Sequence, residues 1–149
     1  WVQVLGVEVD TCTGEVSVTD VENYVDTGRT INPAGVLAQC EGGFVQGLGY
    51  ALYENSIYVG GRLRNPTFAN YVIPSVKDVP AKICTTIFET PDETSPLGVR
   101  GIAEIGLSPV AATVANAVYD AIGARFERFP ILPEAVLNAI GEEVAINHV

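Results

Sequence analysis

The sequence contains no methionine. It does not start at an initiator codon as written, so a trimmed, split or incomplete piece of a longer protein is expected. Cysteine is nearly as scarce, and Cys12, Cys40 and Cys84 lie far apart. They form no CxxC pair, which excludes a zinc ribbon or an iron–sulfur cluster built from this chain alone. A scattered, odd set also argues against a disulfide framework and for a reduced, cytoplasmic setting. The one histidine, His148, is next to the end of the sequence. A Ser-His-Asp or Cys-His apparatus would have to rest on a frayed tail, and that class is set aside. Basic residues are few, with eight Lys and Arg against eighteen Asp and Glu for a net charge of −10. That balance opposes binding to a nucleic-acid backbone. No apolar run reaches the ~18–20 residues of a membrane span, and no basic-then-apolar pattern opens the sequence. Neither nucleic acid nor membrane is expected as a partner.

What remains is the composition of a folded soluble protein, 48% hydrophobic and 17% charged over 149 residues, a length suited to one domain or one lobe of a larger enzyme. Val2 to Asp10 alternates and is rich in Val, Thr11 to Glu15 is turn chemistry, and Val16 to Val21 alternates again. This predicts a β-hairpin with a loop longer than two residues. A loop over Val25 to Ile31 leads to Asn32-Pro33, a strong helix start, and that helix should run to about Tyr53 or Glu54. Thr67 to Ile73 and Lys82 to Thr90 read as further strands, and Pro91 to Gly101 as a loop. Pro109 opens a second helix with Val110, Val114, Val118 and Ala121 on one buried face and Gly123 as its cap. A third helix begins at Pro133 and carries Val136, Leu137 and Ile140. The expected class is α+β, mixed and mostly antiparallel strands with helices packed on one side.

Two segments carry chemistry. In the first helix, Val36, Cys40, Phe44, Leu48 and Leu52 share an apolar face. Gln39, Gly42, Gly43, Gln46, Gly49 and Tyr50 share another that is small and amide-bearing. Each helical glycine costs about 1 kcal/mol relative to alanine, so a bare backbone must be useful there. Either another chain segment packs closely, or a flat ligand approaches and the Gln39 and Gln46 amides supply paired donors and acceptors. A nucleotide loop is disfavoured, because Gly47-Leu48-Gly49 lacks the third glycine of the dinucleotide fingerprint. The second segment is Gly98-Val99-Arg100-Gly101-Ile102-Ala103-Glu104-Ile105-Gly106. Glu104 stands in an otherwise apolar run, where desolvation would tune it as a general base. The plainer alternatives are an ion pair with Arg100 or a partly exposed residue where the second helix begins.

Asp26-Thr27-Gly28-Arg29-Thr30-Ile31-Asn32-Pro33, then Gln39 to Gly49, then Gly98 to Glu104 occur in this order, with Tyr71-Val72-Ile73-Pro74 and Asp78-Val79-Pro80 between the last two. From about Val7 to Asn138 the ordered set resembles the C-terminal part of the molybdopterin-binding subunit of molybdenum hydroxylases, the xanthine dehydrogenase and aldehyde oxidase family. The resemblance implies that residues 1–149 are one lobe of that molybdopterin-binding domain, as a fragment or a split subunit. It implies that Glu104 is the catalytic base beside molybdenum and that Gln39 contacts molybdopterin through its side chain. The helix bearing Gly42, Gly43 and Gln46 would pack near that cofactor, and no residue of the chain is expected to ligate the metal. The implied reaction is oxidative hydroxylation of an electron-poor carbon, in an N-heterocycle or aldehyde, with water-derived oxygen. Molybdopterin, in its simple or cytosine dinucleotide form, is the implied cofactor. Iron–sulfur clusters and FAD would sit on partner chains or missing segments, beside the remainder of the molybdopterin-binding subunit and a small-molecule substrate. Two residues depart from the family pattern: Arg100 stands where lysine is common, and Ala103 where glycine is common. The competing reading is a non-catalytic module that completes a cofactor pocket or a subunit interface, and a stranded fragment without activity is a third.

Overall fold

A computed structural model describes residues 1–146, with side chains described through residue 141; His148 lies outside the described residues. In chain order the elements are β1 (Val2–Val9), β2 (Val16–Asp26), α1 (Pro33–Leu48), β3 (Tyr58–Val59), β4 (Arg62–Leu63), β5 (Lys82–Phe88), α2 (Val110–Ile122) and α3 (Pro133–Ile146). The valine alternation yields β1 and β2, paired antiparallel with a register shift between Gly6 and Val7. Asp10 shapes their turn, its carboxylate accepting from the amides of Cys12 at 2.7 Å and Thr13 at 3.2 Å. The inward row of β2 continues past Val21 through Asn23 to Val25, all buried, so the strand runs to Asp26 and the expected loop starts only at Thr27.

β5 lies on the other side of β2 and parallel to it. A parallel pair needs a crossover, and the 27–81 connection, which carries α1, supplies one. The three-stranded sheet is therefore mixed as expected, β1–β2 antiparallel and β2–β5 parallel, while β3 and β4 pair antiparallel in a separate two-stranded sheet. Helices cover one face. Leu5 and Val21 from that face join Phe44, Leu48, Val110, Val114, Val118, Ile131 and Val136 in the larger core. Val25, Val36 and Cys40 form a smaller one, against which Trp1, Ile87, Ile102 and Ile105 pack. A polar row separates the two. Gln3 Nε2 donates to Asn23 Oδ1 at 3.0 Å, and Asn23 Nδ2 donates to Thr85 Oγ1 at 3.4 Å, one residue from each strand in register. The smaller core is the floor of the candidate site.

The helix start is as read: Asn32 Oδ1 accepts from the Gly35 amide at 3.0 Å, with Pro33 in the first turn. The helical path continues beyond Leu48 as a π-helical turn over Gly49–Tyr53. Gly123 closes α2 in the left-handed conformation at φ 75°. Two expectations need correction. Residues 67–73 are not a strand: 67–71 form a turn in which the Asn70 and Tyr71 amides both donate to the Thr67 carbonyl, and 72–73 are irregular. The strand pairing nearby is the short β3–β4 hairpin, whose connecting Gly60 and Gly61 both take positive φ, the requirement of a tight two-residue turn. Ala121 is exposed, because the buried face of α2 advances four residues at a time from Val110 through Val114 and Val118 to Ile122, which packs on the larger core and leaves Ala121 outside that face.

Candidate functional site

At the end of the sheet, the strand exits of β2 and β5 lead into two loops that zip together. The Arg29 amide donates to the Gly98 carbonyl at 2.7 Å and the Arg100 amide to the Thr27 carbonyl at 2.8 Å. Gly28 makes this approach possible: its φ is +66°, and a side chain there would overlap the Gly98 carbonyl oxygen. Asp26 ties the ends. Its carboxylate accepts from the Gly28 amide at 3.0 Å, the Thr90 amide at 3.1 Å and Arg100 Nη1 at 2.8 Å. Arg100 also lies 3.8 Å from Asp92. Glu89 reaches back to accept from the Thr30 amide at 2.6 Å.

These bonds favour the ionised carboxylates. Asp26 is held below its ordinary value of 3.8, first by the Gly28 amide and then by the Thr90 amide and Arg100. Asp92 is lowered by Thr94, and Glu89 by the Thr30 amide. A depressed folded-state value contributes stability above the unfolded value and loses it as pH falls through the folded one. The clamp should therefore hold at neutral pH and loosen below about pH 4. Amide exchange at Gly28, Thr30 and Thr90, corrected for intrinsic rates, is expected to show protection at pH 6 that declines as the pH falls below about 4.

The zipped loops and the start of α1 enclose a groove of about 470 Å³, lined by Thr27, Arg29, Asn32, Val36, Gln39, Ile102 and Ala103 among others. Gln39 thus reaches the same groove as the segment preceding Glu104. Backbone contact joins the two: a side chain added at Gly106 would stand 3.1 Å from the Cys40 carbonyl oxygen and 3.2 Å from that of Gln39. The setting of Glu104 differs from the expected apolar burial. Ile102 and Ile105 turn inward onto Val25, Val36 and Cys40, while Glu104 lies exposed on the turn between them. Nor does it pair with Arg100, whose ionic partners are Asp26 and Asp92. Among the described residues, the side chains of Glu104 and Gln39 make no hydrogen bond within the chain. Ala103, where glycine is common in the family pattern, needs no glycine conformation here, since no described non-glycine residue has a positive φ.

The glycine face divides. Gly42 is exposed, and a side chain there would meet nothing within 4 Å. Gly43 packs instead on backbone, 3.0 Å from Gly106 C and Leu107 N when a Cβ is added. Gln46 is exposed and its Nε2 donates to the Tyr50 hydroxyl at 3.0 Å. Gln39 and Gly42 are therefore open to a ligand, Gln46 is open but engaged with Tyr50, and Gly43 belongs to the packing joint. The role of Asp26 as the clamp's hub was not read from the sequence. The signal for it was local: an Asp two residues before a turn glycine forms an Asx turn.

Among the described residues no group of three His, Cys, Asp or Glu side chains gathers as a metal site, and no helix is long and apolar enough to cross a membrane.

Residues 1–80 match the family described as molybdopterin cofactor-binding domain. The chain is 37% identical over 134 residues to a probable xanthine dehydrogenase subunit of Bacillus subtilis (strain 168), covering 90% of this chain and 18% of that one. It is 34% identical to the aldehyde oxidoreductase molybdenum-binding subunit PaoC of Escherichia coli (strain K12), covering 93% of this chain and 19% of the relative. The crystal structure of quinoline 2-oxidoreductase from Pseudomonas putida 86 superimposes with a TM-score of 0.85 at 36% identity, over 91% of this chain and 18% of that one. The chain thus spans about a fifth of the length of the relatives it matches.

Proposed function

The chain belongs to the molybdopterin cofactor-binding domain family, and from that premise we propose that it forms one wall of the active site of a molybdenum hydroxylase. One observation carries the reading: Gln39 and the turn bearing Glu104 meet at one groove, with both side chains unengaged inside the chain. The residues fit a pterin. Gln39 offers an amide with donors and acceptors to a planar heterocycle, and Gly42 leaves bare backbone against which a flat ring system can lie. Gln46 can swing from Tyr50 to a second polar edge, and Gly43 holds the helix against the Glu104 turn. Either molybdopterin itself or its cytosine dinucleotide form satisfies these contacts.

When bound, that group supplies a two-electron acceptor and a Lewis acid. The chain's own residues do the rest of this wall's work. Gln39 orients the pterin, Gly43 and Gly106 fix the spacing between α1 and the turn, and Glu104 accepts a proton at its carboxylate as water-derived oxygen is transferred to an electron-poor carbon of an N-heterocycle or aldehyde. The Asp26–Arg100 clamp keeps the groove's outer loops in place. Iron–sulfur and flavin carriers on partner chains or domains would supply the onward route for electrons, with the remainder of the molybdopterin-binding subunit closing the pocket in a cytoplasmic complex.

The test is composition. A complex purified through a tag on this chain is expected to contain molybdenum, pterin, iron and flavin in fixed ratio to it. A complex with neither molybdenum nor pterin would overturn the assignment. The reading as a non-catalytic module draws on the packing role of Gly43, and it differs from the catalytic one only in what Glu104 does.

A further inference from the structure

Residues 57–76 form a loop turned inside out. Asn65 is buried; its side chain accepts from the Ile57 amide at 3.0 Å and donates to the Asn55 carbonyl at 2.6 Å. The Ile57 carbonyl in turn accepts from the Arg64 amide at 2.8 Å. Tyr71 donates through its hydroxyl to Glu54 Oε2 at 2.7 Å. Polar bonds thus fix the loop from within, while Tyr58, Phe68, Val72, Ile73 and Val76 stand exposed, Phe68 at 83% and Val76 at 88%. A loop that spends its polar groups internally and presents large apolar ones outward is built to be covered. Its charge is also distinct. The stretch holds Arg62 and Arg64 and no acidic residue, in a chain of net charge −10.

We propose that this loop is a docking surface for the remainder of the molybdopterin-binding subunit, which meets it with an apolar surface rimmed by carboxylates. This rests on the proposed function above. The chain covers 18% of the relative it matches, so most of such a subunit lies outside it and supplies the cover. A second copy of this chain is the poorer occupant, because two bodies of net charge −10 repel.

The test uses the complex purified through a tag on this chain, carrying Phe68→Asp together with Val76→Asp. Both side chains are exposed, so the chain's far-ultraviolet circular dichroism and melting should not change. A carboxylate pressed into an apolar interface without a partner is strongly penalised, so molybdenum recovered per chain is expected to fall by about tenfold or more. Phe68→Leu should retain it. Unchanged molybdenum in the double variant would overturn the docking surface alone. So would a wild-type homodimer that the double substitution dissociates while molybdenum stays. A wild-type complex devoid of molybdenum would overturn the proposed function and the docking surface together.

Discussion

Replacing Glu104 with Gln is expected to lower turnover by about 10²–10⁴-fold, the span of a lost general base, while molybdenum and pterin content stay at the wild-type level. The side chain is exposed and forms no hydrogen bond within the chain among the described residues, so an isosteric amide leaves folding and the groove undisturbed. What the amide cannot do is take a proton. The loss should therefore fall on kcat with KM little changed, the pattern of an interaction made only in the transition state. Glu104→Asp keeps the proton acceptor but withdraws it by one methylene, and an intermediate rate is expected, since misplacement of about 1 Å is itself costly. Steady-state kinetics beside metal and pterin analysis on the same preparations decides the matter. A parallel loss of molybdenum would make Glu104 a binding residue. Retained turnover would move the proton elsewhere and favour the non-catalytic module.

The elements dictated by neighbouring residues were legible in the sequence. Valine alternation predicts β1 and β2, Asn32-Pro33 predicts the start of α1, and Gly123 predicts the end of α2, each because the physical cause sits within a few positions. Pairing across distance was not legible. The parallel alignment of β5 with β2 depends on how the 27–81 connection returns the chain, and the Arg100–Asp26 bond joins residues 74 positions apart. Glu104 shows the same limit at a single site. Its neighbours Ile102 and Ile105 make the run read as apolar, yet they satisfy the smaller core themselves and leave the carboxylate outside. The helix period placed Gln39, Gly42 and Gln46 together on one face correctly. It did not distinguish the open glycine, Gly42, from Gly43, which lies against the backbone of residues 106 and 107.

That distinction sets the second large effect: Gly47→Leu is expected to destabilise the chain by about 2 kcal/mol net, from an overpacking cost of about 3 kcal/mol, the upper end for such clashes. A Cβ at Gly47 would stand 2.6 Å from both Cβ and Cγ2 of Val110, and 3.1 Å from the Leu107 carbonyl oxygen. Val110 is fully buried and β-branched, so it has no free rotamer into which to retreat. One turn earlier Gly43 meets the backbone of Gly106 and Leu107, so the helix lies against main chain at Gly43 and against the Val110 side chain and the Leu107 carbonyl at Gly47. The gain in helix propensity on replacing glycine, about 1 kcal/mol, offsets only part of this clash. At Gly42 there is no clash to offset, and Gly42→Ala should stabilise the chain by about that amount. Thermal unfolding of the two variants should move in opposite directions, down by about 4–8 °C for Gly47→Leu and up by about 2–4 °C for Gly42→Ala. The joint also sets where Gln39 lies relative to Glu104, so Gly47→Leu should lose activity at temperatures where the variant is still folded. A variant that keeps wild-type turnover under those conditions would separate the packing of α1 from the geometry of the site, and the spacing role assigned to the glycines would fall.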